Sequence, residues 1–306
     1  MAQEVKSSGG SSWSAKARGF VRFSALVLTP SRKRADLLYE LASTDSYLTE
    51  RTLYRNVGYW KESPTTLDDA CEALARFAAQ QLQLGPADRL LDVGFGYGDQ
   101  DIDWMKEFKP REIVGINITK SQLEHATARV AEHGMSERIK YQMAPATQLP
   151  FDANSFDKVV ALESAFHFQT RSDFFAEAFR VLRPGGRLVT VDIVPLPYDD
   201  LPLLGRMLSS AGLYLWKTCK ENIYGREVYE EKLRAAGFKA RVESIRDQTL
   251  EPFARYTLAE LAKPERVAKM NYAVAGMLAA PAEAILDNPY GLMKLDYVLA
   301  VADKPG

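Results

Sequence analysis

Along the middle of the chain, two apolar periods alternate. In residues 66–82 the apolar positions fall three and four apart. Leu67, Ala70, Cys71, Leu74 and Ala78 share one face, which predicts an amphipathic helix that Thr65 or Thr66 can cap. Cys71 on that stripe reads as core rather than as a reactive thiol. Gly85-Pro86 breaks the helix, and residues 89–93 form a short apolar strand that ends in a glycine-rich turn at 94–98. The pattern then repeats, with a helix at 99–108, a strand at 113–118, a helix at 119–133 and strands at 140–143 and 156–162. A helix at 172–182 can turn Phe174, Phe175, Ala178, Phe179 and Leu182 to a sheet, and Pro184-Gly185-Gly186 stops it before a strand at 187–193. Thr119 and Gln122 fit a capping box opening the 119–133 helix.

Strands separated by helices of this length imply a parallel sheet covered on both faces. Right-handed crossovers make it an α/β, doubly wound, Rossmann-like fold. Beyond Pro195 the regularity loosens. A helix at 229–236 and strands at 241–246 and 294–301 complete a seven-stranded sheet within a domain spanning 66–303. Residues 251–288 are largely helical, carry Pro252, Pro264 and Pro281, and are too long for a connecting loop. They are expected to be a helical lid insertion, with a second one at 196–224. Residues 1–65 are expected to form an N-terminal arm, poorly ordered over the Ser-, Gly- and Lys-rich stretch 2–17.

Composition narrows the partners. The 306 residues are 46% apolar and 26% charged, an ordinary globular mix. With 39 basic and 40 acidic residues the net charge is −1, so no basic excess points to nucleic acid. Two cysteines and three histidines exclude a disulfide framework and a four-thiolate zinc site, and no metal is expected. No apolar run approaches the roughly 18 residues of a membrane span, and residues 20–28 lack a signal-peptide cleavage pattern. A cytoplasmic enzyme is the default expectation. Met207, Leu213, Tyr214, Trp216, Met270, Tyr272 and Met277 in the lid segments can enclose a large apolar small-molecule acceptor. A lid core or a homo-oligomer interface would use the same residues.

The glycine turn is the first chemical signal. Asp92-Val93-Gly94-Phe95-Gly96-Tyr97-Gly98 follows a strand and opens a helix, so backbone N–H groups can meet a ligand at the helix N-terminus. The spacing departs from the nicotinamide fingerprint G-x-G-x-x-G, and no Lys-Ser/Thr follows to make a phosphate-binding P-loop. A carboxylate beside such a turn suits a ligand carrying an ammonium group, such as S-adenosylmethionine. Residues 89–193 resemble the core of a class I S-adenosylmethionine-dependent methyltransferase. The resemblance lies in this turn, in Leu149-Pro150-Phe151-Asp152, in Ser155-Phe156-Asp157 and in Leu182-Arg183-Pro184-Gly185-Gly186. Ser31-Arg32, Asn56-Val57-Gly58-Tyr59-Trp60-Lys61, Leu162-Glu163-Ser164-Ala165 and Asp192-Ile193-Val194-Pro195 extend it to the erythromycin O-methyltransferase type over most of residues 31–303.

That resemblance implies cofactor binding by Asp92, Gly94, Gly96 and Gly98, with Tyr59 covering the methionyl end. The ribose position, usually acidic, is here Asn117, with one acceptor oxygen and help from Thr119 or Gln122. Pro145 removes an N–H from the adenine turn, leaving the backbone of Ala146 and the side chain of Ile118 to hold the ring. Tyr39, Tyr47 and Tyr54 can line an acceptor pocket or pack in the core. His125 and His133 read as solvated, and so does the helix face bearing Asp101, Asp103 and Glu107. Transfer to an alcohol needs a base. His167 follows the strand at 156–162, and Asp192 lies near the same end of the neighbouring strand; similar sugar methyltransferases use a His and an Asp at these two places. Asp192 can orient the imidazole, and Glu163 is the alternative partner. The readings left standing are O-methylation of a bulky natural product, C-methylation of an isoprenoid or sterol-like chain, and a cofactor-binding protein without activity.

Overall fold

The computed structural model of the chain describes residues 48–196, 219–270, 272–286 and 294–306. The strands are β1 (Arg89–Val93), β2 (Glu112–Asn117), β3 (Ile139–Met143), β4 (Phe156–Leu162), β5 (Leu182–Pro195), β6 (Lys239–Ser244) and β7 (Leu295–Asp303). They form one sheet in the order β3-β2-β1-β4-β5-β7-β6. β1 to β5 are parallel, and β7 runs antiparallel between β5 and β6. The seven strands expected from the sequence are all present. β6 begins and ends earlier than read, and Ile118 falls just outside β2.

The helices are α1 (Leu67–Leu82), α2 (Asp99–Glu107), α3 (Lys120–Glu132), α4 (Arg171–Val181), α5 (Arg226–Ala235), α6 (Leu250–Leu261), α7 (Pro264–Lys269) and α8 (Tyr272–Leu286). Successive strand residues point to opposite faces, so each central strand feeds two cores. Leu90, Val160, Val189 and Leu299 pack with Leu74, Ala78 and Trp104 of α1 and α2. Leu91, Val159, Leu188 and Ala300 pack with Phe174, Phe175 and Ala178 of α4 and Tyr229 and Leu233 of α5. Cys71 is buried in the first of these cores, as the helical stripe implied.

Two local expectations are revised. Pro184-Gly185-Gly186 does not separate helix from strand. α4 ends at Val181, and β5 begins at Leu182 with a register shift opposite Phe156 and Lys158, where Gly185 takes φ +77°. The 251–288 segment resolves into α6, α7 and α8, with Pro264 at the first residue of α7, where its missing N–H has no partner to lose. Residues 1–47 and 197–218, and with them Tyr39, Tyr47, Met207, Leu213, Tyr214 and Trp216, lie outside the described residues.

Between the sheet and α4–α5 sits a buried polar cluster. Arg171 opens α4, where a cation opposes the helix dipole, so its partner has to come from elsewhere. It is fully buried, donates Nε to Asp192 Oδ2 at 2.7 Å, and gives Nη1 and Nη2 to the carbonyls of Asn222 and Ile193. Tyr229 of α5 bonds both Thr190 and Asp192. Removing one member strands a buried charge, so Arg171→Leu is expected to lose about 3–5 kcal/mol in urea unfolding. Arg171→Leu with Asp192→Leu should recover part of that loss. A loss below about 1 kcal/mol in the single variant would contradict the account.

Candidate functional site

The carboxyl ends of β1, β2, β3, β4 and β5 lie along one edge of the parallel sheet, which is where doubly wound folds bind ligands. At the end of β1, the glycine turn is anchored on two sides. Gly94 N–H donates to the Ile116 carbonyl at 2.8 Å, and Ser164 Oγ, just past β4, donates to the Val93 carbonyl at 2.6 Å. Gly94, Gly96 and Gly98 all take positive φ. Gly96 differs from the other two. A Cβ placed on it would meet nothing within 4 Å, whereas one on Gly94 would lie 2.5 Å from Ser164 Cβ. Gly96 therefore faces open space beside the N-terminus of α2, a cradle for an amino-acid carboxylate.

The adenosine side is built by β2 and β3. Asn117 ends β2, and its amide is engaged at both ends: Nδ2 donates to Gln122 Oε1 at 2.9 Å, and Oδ1 accepts from Thr119 N–H at 3.0 Å. The expected Thr119–Gln122 capping box does not form, because the Asn117 amide takes the first free N–H of the turn itself. Ile118 is 70% exposed and Met143 54% exposed. Neighbouring strand ends thus carry two apolar side chains open to solvent, suited to the face of a flat ring. Ala146 lies in the loop after β3, its methyl buried against the sheet.

Three expected side chains take partners the sequence does not name. Asp92 does not face the crevice. It is fully buried behind the turn, beside Asp101, and accepts from Gln100 Nε2 at 3.0 Å. Tyr59 stacks on Phe77 of α1 at 4.4 Å with a 6° interplanar angle, a contact that anchors the arm. The segment that reaches the site is 53–57. Leu53 N–H donates to Asp99, the Arg55 guanidinium lies over the Tyr97 ring, and Val57 N–H donates to Glu163 Oε1 at 2.7 Å. Asp192, expected to orient His167, is paired with Arg171 instead. Its Oδ1 accepts from the backbone N–H of Phe166 at 3.1 Å, so it holds the Ala165–His167 turn by its backbone. The imidazole of His167 is exposed.

Glu163 directly follows β4 at φ +47°, a strained conformation for a non-glycine residue. It accepts from Val57 N–H and from the Tyr297 hydroxyl of β7. Burial pushes its pKa up to about 7, against these two hydrogen bonds, which favour the charged form. Tyr297 was missed because a lone tyrosine in an apolar strand reads as core. The signal was its hydroxyl, which needs a partner once buried. Asp101 was misread as a solvated helix residue. It lies three and four positions before Trp104 and Met105, on the buried stripe of α2, and it accepts from Tyr141 Oη at 2.8 Å. Tyr54 is core, with its hydroxyl on Asp103. His125 and His133 are exposed, as expected. Among the described residues no group of acidic, His and Cys side chains could hold a metal ion, and no helix is long and apolar enough to cross a membrane.

Two outcomes test this geometry. Gly96→Ala should fold with only the left-handed strain of about 1–2 kcal/mol, yet bind S-adenosylhomocysteine about tenfold or more weakly by calorimetry. Unchanged affinity would place the ligand elsewhere. Glu163 in the folded chain holds its proton to about pH 7. Its contribution to stability is therefore complete below the unfolded value of about 4.3 and is lost as pH rises to the folded one, by up to about 1.4 kcal/mol per unit. Unfolding measured at intervals between pH 5 and pH 8 should show this fall in the wild type and a flatter curve in Glu163→Gln. Parallel curves would contradict it.

Comparison with known proteins agrees with the geometry. Residues 91–190 match a family model described as a methyltransferase domain. The chain is 38% identical over 286 residues to erythromycin 3''-O-methyltransferase from Saccharopolyspora erythraea, covering 89% of this chain and 90% of that protein. It is 39% identical over 140 residues to 27-O-demethylrifamycin SV methyltransferase from Amycolatopsis mediterranei, covering 46% of this chain and 51% of the other. The crystal structure of geranyl diphosphate C-methyltransferase from Streptomyces coelicolor, in complex with Mg2+, geranyl diphosphate and S-adenosyl-L-homocysteine, superposes with a TM-score of 0.65. At 21% identity over 90% of this chain and 99% of that one, it shows the fold alone. An open glycine cradle at a helix N-terminus, apolar side chains flanking it, and similarity running the length of both chains lead to one conclusion: this chain belongs to the class I S-adenosylmethionine-dependent methyltransferases, of the erythromycin O-methyltransferase type.

Proposed function

We propose that the protein methylates a hydroxyl group of a bulky natural product, of macrolide-sugar or polyketide type, with His167 as general base. The observation that carries this reading is the 38% identity to erythromycin 3''-O-methyltransferase across nine-tenths of both chains. The cofactor supplies a methyl group already activated on a sulfonium. What remains for the protein is to align the acceptor oxygen and to take its proton.

His167 suits the second task. Its exposed imidazole stands at the carboxyl end of β4, one strand away from the glycine turn at the end of β1. The turn that carries it is held by Asp192 through the Phe166 N–H. Asp192 thus acts in our reading as a positioning residue, with its second oxygen neutralised by Arg171. Glu163 lies on the same strand end with a pKa near neutrality, and it ties the arm and β7 to the catalytic edge. Tyr59 anchors the arm in this reading, while Gly94, Gly96, Gly98, Asn117, Ile118, Gln122 and Ala146 form the cofactor set. The arm at 48–65 and the helices α6 and α7 are the described segments that would lie nearest the acceptor and exclude water.

His167→Ala should keep S-adenosylhomocysteine affinity and lose turnover by about 10²-fold or more. Near-normal turnover would remove the base assignment and leave Glu163 as the group to test next. Mass fragmentation of the product should place the new methyl on oxygen. A methyl on carbon would overturn the acceptor class while leaving the cofactor site intact.

A further inference from the structure

Asp92 and Asp101 form a pair of acids buried behind the glycine turn. Both are fully buried, Asp92 at the end of β1 and Asp101 in the first turn of α2. The two carboxyl groups adjoin, so that the charge of Asp92 bears on Asp101. Asp92 Oδ2 accepts from Gln100 Nε2 at 3.0 Å, and Asp101 Oδ2 accepts from Tyr141 Oη at 2.8 Å. Their Oδ1 atoms are sealed from solvent, and no N–H or O–H of another described residue reaches them. One proton held between the two carboxyl groups would satisfy both of these oxygens and relieve the repulsion of two buried charges. Burial pushes both groups up, and the Asp92 charge pushes Asp101 further.

The pair is part of a brace. The Tyr141 ring stacks on Phe95 at 4.0 Å, inside the glycine turn. Its hydroxyl lies behind Gly98 and its ring edge against Gly115, where a Cβ at either glycine would come within 2.5 Å of it. The chain of contacts therefore runs from the end of β1 through α2 and β3 and back to the turn. Other charged groups flank it. Asp99 of α2 is paired with Arg129 of α3 at 2.7 Å, and Asp103 is paired with the Tyr54 hydroxyl. Asp99 adds repulsion at Asp101, while Arg129 offsets charge at Tyr141.

We propose that the proton shared by Asp92 and Asp101 is the latch that fixes the glycine turn in its cofactor-binding shape, and that Asp101 is a positioning residue for S-adenosylmethionine. The proposal rests on the family's cofactor and is independent of the acceptor and of the base. Loss of the shared proton leaves two carboxylates face to face without water. They repel, the first turn of α2 parts from the end of β1, and the cradle at Gly96 loses its shape. Cofactor binding then weakens as pH rises.

The test is calorimetric titration with S-adenosylhomocysteine across a series from about pH 7 to about pH 9.5. The ligand's own amino group titrates equally against every variant, so the comparison between variants isolates the pair. Affinity of the wild type should fall about fivefold or more beyond any fall seen in Asp101→Asn. That variant keeps a donor toward Asp92 and an acceptor for Tyr141 without a titrating proton, so it should retain wild-type affinity near neutrality. Asp101→Ala should bind weakly throughout. Identical profiles for wild type and Asp101→Asn, or Asp101→Asn as weak as Asp101→Ala, would overturn the latch. Infrared spectroscopy gives a second readout without ligand. In a Glu163→Gln background a protonated-carboxyl band should persist well above the ordinary carboxylate range of about pH 4, and the absence of that band would also overturn the proposal. A wild type that binds no cofactor at any pH while showing the band would instead indict the cofactor assignment.

Discussion

Acidic groups taken out of water dominate the binding edge of this sheet. Strands β1, β4 and β5 lie in succession, and each ends near a carboxyl group: Asp92, Glu163 and Asp192. An isolated carboxylate in such a place is too costly to keep charged. The fold answers three times in different ways. Asp192 receives the guanidinium of Arg171, Glu163 rises to about pKa 7 under two hydrogen bonds, and Asp92 borrows a partner acid from α2. The rest of the site follows from these arrangements, because each carboxyl fixes a neighbouring backbone segment.

The consequences run outward from each acid. Asp192 holds the Phe166 N–H and so the turn that presents His167. Glu163 holds the Val57 N–H and the Tyr297 hydroxyl, which brings an arm and the last strand to the same edge. Asp92 and Asp101 stand behind the glycine turn, with Tyr141 filling the space that Gly98 and Gly115 leave. An edge built this way is braced behind the glycine turn. It remains open beyond Gly96, Ile118 and Met143, where a ligand has to enter.

Much of the architecture was legible in the sequence, since apolar periodicity reports burial directly. The alternation of strand and helix, the α1 stripe around Cys71 and the glycine turn after β1 all reappear in the structure. The site was legible in position and less so in wiring. A residue type and its place in a strand do not say which partner tertiary packing brings to it. Asp192 looked like a partner for His167, but Arg171, 21 residues away, reached it from the start of α4. Tyr59 found a stacking partner in Phe77. Asp101 carried its own signal in helical phase, which its charge concealed.

Burial holds Asp92, Asp101 and Glu163 above the ordinary carboxylate range. Carbon-13 NMR of aspartate- and glutamate-labelled protein, followed through a pH titration, reads their protonation states residue by residue. The expected result is that Asp101 keeps its proton well above the ordinary carboxylate range and that Glu163 titrates near pH 7. Titration of both groups in the ordinary carboxylate range, near about pH 4, would contradict it.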